Sequence, residues 1–89
     1  MNITLKVSSK SNPAAVAGAL TGTIKDAGQA EIQAIGAGAI NQAIKAVTIA
    51  RGYCAPAGKD LVIAPAFIEV DVNGQTKTAI RLMVSARNH

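Results

Sequence analysis

Between Ala30 and Gly52 the chain reads AEIQAIGAGAINQAIKAVTIARG. A short apolar run, EIQAI, stops at Gly36-Ala37-Gly38, and a stripe at helical spacing (Ile40, Ala43, Ile44, Val47) follows at once. A strand that turns on glycine straight into a helix leaves few folds open. It puts the amide end of the helix at the carboxyl end of the strand, on one edge of whatever sheet forms.

The rest of the chain extends this unit. NITLKV alternates, with Ile3, Leu5 and Val7 on one side and Asn2, Thr4 and Lys6 on the other, which predicts a half-buried strand. In SSKSNP, Asn12 suits a helix N-cap and Pro13 the first helical position. Val16, Leu20, Ile24 and Ala27 then share a helical face, and Gly28 is the stop. The second helix is predicted to end at Gly52, with YCAPAGK as a loop. LVIAPAFIEVDV and TKTAIRLMVSA read as two strands about Asn73-Gly74. The expected order is β-α-β-α-β-β in a single domain over residues 1–89. Parallel strand–helix–strand connections precede an antiparallel hairpin. The fold class is α/β (α+β), a two-layer sandwich with a mixed four-stranded sheet and two helices.

The hairpin register follows from its faces. The even row Val62, Ala64, Ala66, Ile68, Val70 and Val72 reads as the core face, matched by Ile80, Leu82 and Val84. A two-residue loop would set Ile68 opposite Ala79 and Val70 opposite Lys77, sending the rows to opposite faces. A loop of three or five residues is therefore expected, with Ile68 opposite Ile80 and Asp71 opposite Lys77. Pro65 marks an outer strand or a bulge, because it has no ladder donor.

The chain is 49% hydrophobic but 2% aromatic, so its core must be aliphatic and small. That much aliphatic surface on 89 residues predicts association. The second helix and third strand hold apolar residues beyond one core, and Ile49, Ile63 and Phe67 are the expected interface of a homodimer or larger assembly. Apolar segments of signal or bilayer-spanning type do not occur in the sequence, which points to a cytoplasmic protein without membrane contact.

Catalytic chemistry has little to work with. His89 is the only histidine and the last residue, and Cys54 is the only cysteine, placed in the expected loop. No spacing among the five acids calls for acid–base work. Neither a metal site nor a cofactor is expected. The GAGAIN turn lacks the third glycine of a dinucleotide fingerprint and the Lys-Ser/Thr of a P-loop. The expectation is a binding protein, not an enzyme.

Binding has more support. The net charge is +4. The two strand–helix loops share an edge, where helix amide ends favour anions. Ser9, Lys10, Ser11 and Asn12 from the first loop, Gly36 and Gly38 from the second, Asn41 and Lys45 on the second helix, and Lys77 on the hairpin form the candidate nucleic-acid site. Arg51 extends the positive area. With two aromatic residues, recognition should follow the phosphate backbone. Gly18 and Gly22, with Ala14 and Ala15, form a smooth strip on the first helix.

LKVSSKSNPAAVAGAL, AEIQAIGAGAINQAIKAVTIARGY and DLVIAPAF together resemble the stage V sporulation protein S family, from Ile3 to about Val84. The resemblance implies a small cytoplasmic bacterial protein tied to sporulation and to septum or coat formation. AINQAIKAVTIAR, Ala39 to Arg51, is more distantly similar to the second helix of Alba, a dimeric archaeal nucleic-acid-binding protein. It implies an Alba-like (initiation-factor-3 C-domain-like) fold and a dimer. Lys10 matches a loop lysine of Alba and Lys77 falls in its hairpin arm, whereas Gly36 and Gly38 stand where Alba commonly has arginines. The implied function is a dimeric DNA- or RNA-binding regulator of sporulation or cell division. The alternative is a structural or adaptor protein that binds a protein partner in spore or septum assembly.

Overall fold

The computed structural model describes residues 3–88, so the expectations for Asn2 and His89 lie outside it. The elements follow the expected order: β1 (Thr4–Val7), α1 (Pro13–Ala27), β2 (Gln29–Ala34), α2 (Ala37–Cys54), β3 (Lys59–Val72) and β4 (Gln75–Asn88). Both helices pack on one face of a mixed four-stranded sheet of order β1-β2-β4-β3. β1 and β2 are parallel, with Leu5 beside Ile32, and β4 runs antiparallel between β2 and β3. β3 is thereby an outer strand, where the missing N–H of Pro65 costs nothing.

α1 starts and stops as its residues predict. Asn12 Oδ1 accepts from the amides of Ala14 at 2.9 Å and Ala15 at 3.3 Å, Pro13 follows, and Gly28 closes the helix at φ 81°. The buried face of α1 is Ala17, Leu20, Thr21 and Ile24, so Ala27 of the expected face is exposed.

α2 departs from its expected stripe. Its buried residues are Ala39, Ala43, Ala46, Val47, Ala50 and Cys54, whereas Ile44 is 43% exposed. The four alanines are 0–2% exposed. Small residues at this spacing let the helix lie close to its neighbours, which bulky Ile40 and Ile44 on that face would prevent. The helix also runs through Gly52 to Cys54. A glycine inside a helix costs only about 1 kcal/mol, and the extra turn seats the Cys54 thiol in the core. Cys54 is therefore a buried helical residue, not a loop residue. A 3-10 turn, Ala55–Ala57, follows, and the actual stop is Gly58 at φ 75°.

The hairpin has the two-residue loop. Asn73 and Gly74 sit at φ 52° and 80°, a pair of positive values that defines the type I′ turn. Ile68 therefore faces Ala79, Val70 faces Lys77 and Asp71 faces Thr76, against the expected pairing. The odd row points to the helices, with Leu61 buried and Ile63 half-buried opposite Val84, and the even row faces away from them. Both rows of β3 are apolar, so burial could not choose between registers, and turn chemistry did. Beyond the Ala34–Ile80 pair the hairpin continues without β2 as a free arm, from Ile68 to Ala79. The arm curls across the uncovered face of the sheet, so that Val70 and Val72 share a basin with Lys6 and Gln33.

The edge opposite the strand–helix loops is fastened by one carboxylate. Asp60 accepts from Arg51 Nε at 2.9 Å, from Arg87 Nη2 at 3.3 Å and from the Leu61 amide at 3.0 Å. It joins the end of α2 to both hairpin strands. The hydrogen bond from Arg51 is the chief reason its carboxyl is held below the ordinary value of 3.8, with its charge, Arg87 and the Leu61 amide adding to that and desolvation opposing it. A depressed carboxyl stabilises the fold above its unfolded pKa, and that contribution is lost as pH falls through the lower folded value. Asp60→Asn should therefore lower the thermal unfolding midpoint at pH 7, and the gap to wild type should close on acidification below about pH 4. Thermal melts across pH 2.5–7 check this.

Candidate nucleic-acid interface

The two strand–helix loops meet. Gly38, in the first turn of α2, lies against Ser9 so closely that a Cβ on it would stand 2.9 Å from Ser9 Cβ. A second tie comes from Gln42, whose Nε2 donates to the Ser11 carbonyl at 2.9 Å. Gln42 was not among the expected site residues. Its position one turn beyond Gly38 was the only signal for it.

Within the first loop most polar groups satisfy one another. Ser11 Oγ accepts from the Ser8 amide at 2.9 Å, Ser8 Oγ accepts from the Lys10 amide at 3.2 Å, and the Ser11 amide donates to the Ser8 carbonyl at 3.1 Å. Ser11 thus shapes the loop and Asn12 caps α1. The α1 amides nearest the edge are spent on that cap. The side chains of Ser9 and Lys10 make no hydrogen bond or ion pair with the described residues.

α2 differs. Gly36, at φ 89°, is its N-cap residue and offers no side-chain acceptor. The first-turn amides have no such cap, and Ala37 and Gly38 are exposed at the positive end of the helix. Asn41 is exposed one turn on, and Lys45 lines an open groove of ≈ 460 Å³ with Asn12, Pro13 and Ala14. The structure thus brings Gly38 against Ser9 and Lys45 beside Asn12, with Gly36 and Asn41 within a turn of Gly38 and Lys10 next to Ser9. Lys77 stands apart on the arm, opposite Val70.

The far edge carries both signs of charge, with Lys25, Arg51, Lys59 and Arg87 near Asp26 and Asp60. Arg51 lies about 22 Å along α2 from Gly36, at 1.5 Å per residue, and its guanidinium is paired to Asp60 at 2.9 Å. It does not extend the positive area, contrary to expectation. Asp26, at the end of α1, lies on that same far edge. Asp71 does not pair with Lys77, and Thr76 Oγ1 donates to it instead at 3.1 Å.

The three expected interface residues fall in different places. Ile49 lines the α1–α2 groove beside Lys45, Ile63 packs on the core, and Phe67 stands 79% exposed at the base of the arm with Pro65 and Ile80. The groove that Ile49 lines and the hollow that Phe67 lines share no residue. The Gly18 and Gly22 strip faces open space.

Gly38→Ala should push the first loop away from α2 and cost about 1–3 kcal/mol, the usual range for overpacking. Ser9→Gly in the same chain should recover most of that loss. Urea melts of the two single variants and the double variant measure the coupling, and additive losses would contradict the contact.

A family model for stage V sporulation protein S matches residues 3–87. Among the described residues no helix is long and apolar enough to cross a membrane. The match takes in the two loops, both helices and nearly the whole hairpin, and the chain belongs to the stage V sporulation protein S family, whose role lies in sporulation.

Proposed function

We propose that the protein is a non-enzymatic, dimeric, cytoplasmic nucleic-acid-binding regulator of sporulation, and that it tracks the phosphate backbone along the strand–helix loop edge. The observation that carries this reading is the Gly38–Ser9 contact. It brings an uncapped helix amide end against the loop that holds Lys10, with Lys45 alongside. Amides and lysines in a row suit phosphates, which report position and not sequence. The match to a sporulation family supplies the biological setting.

Each cation on a duplex phosphate adds about 0.9 to the logarithmic salt slope. Lys10→Ala and Lys45→Ala should each lower that slope by about this amount, alike for unrelated sequences. Fluorescence anisotropy between 20 and 200 mM salt measures it. Gly38→Glu is not a clean probe, since its Cβ already collides with Ser9. If the wild type binds no nucleic acid at 20 mM salt, the adaptor reading replaces this one, and the apolar α1–α2 groove with Ile44 and Ile49 is then the surface to examine.

Association is proposed through the apolar residues left outside the core. Phe67 is so exposed that Phe67→Asp should leave protomer stability within about 0.5 kcal/mol. The same change should weaken self-association tenfold or more, as loss of an interface anchor does. Sedimentation at micromolar concentration reads both species, and a monomeric wild type would refute the dimer.

A further inference from the structure

The loop edge continues onto the uncovered face of the sheet. Ser9, which touches Gly38 on one side, also lines the basin of ≈ 330 Å³ enclosed by the curled arm. That volume lies at the small end of the range for ligand pockets, about 300–1,000 Å³. Ile35, Val70 and Val72 give it apolar walls. Lys6 and Gln33 add a cation and an amide, while the Asp71 carboxylate lies on the other face of β3 with Thr76. Lys6 has no ion-pair partner among the described residues. Arg81 sits directly across from Gln33 in the sheet, and its buried Nε has no hydrogen-bond partner, the nearest acid being Glu31 at 4.0 Å. Lys77 shares the arm face of Val70, because opposed residues of an antiparallel pair point the same way.

We propose that this basin receives one unstacked nucleotide of a single-stranded nucleic acid whose neighbouring phosphates lie on the loop edge. The inference rests on the nucleic-acid reading above and narrows it to a strand class. An unpaired base exposes two apolar faces and a hydrogen-bonding rim, which single strands present and duplexes keep stacked inside. The aliphatic walls cover the faces, Gln33 meets the rim, and Lys6 with Ser9 meets the adjoining phosphate. A duplex offers only its backbone and grooves about 12 and 6 Å wide. It can lie along the loop edge, but it cannot enter the basin. The arm makes the difference, since without its curl the sheet face would be open.

The test compares a twelve-nucleotide single strand with the duplex of the same sequence, by anisotropy at 50 mM salt. Wild type should bind the single strand at least tenfold more tightly. Lys6→Ala, and Ile35→Glu at a position 40% exposed, should each bring the two affinities to within threefold of one another. Amide spectra confirm that each variant is folded, and Lys6→Ala, an exposed change, keeps the test decisive if Ile35→Glu is not. On titrating wild type with the single strand, the amide signals of residues 6–9, 33 and 70–72 should shift. A duplex bound as tightly as the single strand, or a preference that survives in the folded variants, overturns the basin while leaving the loop edge in place. Absence of binding to either form at 20 mM salt overturns both readings together.

Discussion

The close seat of α2 on the sheet is the constraint on which the other features depend. Ala39, Ala43, Ala46 and Ala50 form a face with almost no side-chain depth. Helix and sheet can then approach until Val47, Leu82 and Val84 close the core between them. Such a core draws its stability from close contact more than from large individual side chains, since each alanine buries little area. The same closeness presses Gly38 onto Ser9 and brings Gln42 within reach of the Ser11 carbonyl. The candidate site is thus an outcome of core packing. A bulkier α2 face would hold the two loops apart and leave two separate helix ends.

The hairpin shows a different kind of determinant. Its outer strand is apolar on both faces, so hydrophobic burial is nearly indifferent to a one-residue slip. The Asn73-Gly74 turn, with both residues at positive φ, settles the matter by matching the twist of the strands. Its consequence reaches well past the turn. It puts Leu61 and Ile63 under the helices, leaves Val70 and Val72 on the other face, and takes Asp71 away from Lys77. Two residues at the tip therefore decide what the sheet offers to solvent.

The element order, the Asn12 cap, the Gly28 stop and the outer position of the Pro65 strand could be read from the residues, because each rests on a local backbone rule. The contribution of Ser9, Lys10, Gly36 and Gly38 to one edge was legible for the same reason, once parallel topology was inferred. Three things were not. The buried face of α2 was misjudged because isoleucine outranks alanine in hydrophobicity, whereas the helix needed smallness. The pairing of Arg51 with Asp60 depends on where α2 ends and β3 begins, and each was misplaced by two residues. The curl of the arm over Lys6 and Gln33 is a property of sheet twist, and no local pattern in β3 announces it.

The aliphatic core has a practical side. The chain holds one tyrosine, one phenylalanine and no tryptophan, and Tyr53 and Phe67 are 53% and 79% exposed. The ultraviolet chromophores of this protein therefore lie outside the part that folds around Leu20, Ile32 and Val84. Its near-ultraviolet dichroism and tyrosine emission are reporters of the surface. A change in either marks something arriving at the end of α2 or at the arm, while the core can open with little optical trace beyond the loss of its helices.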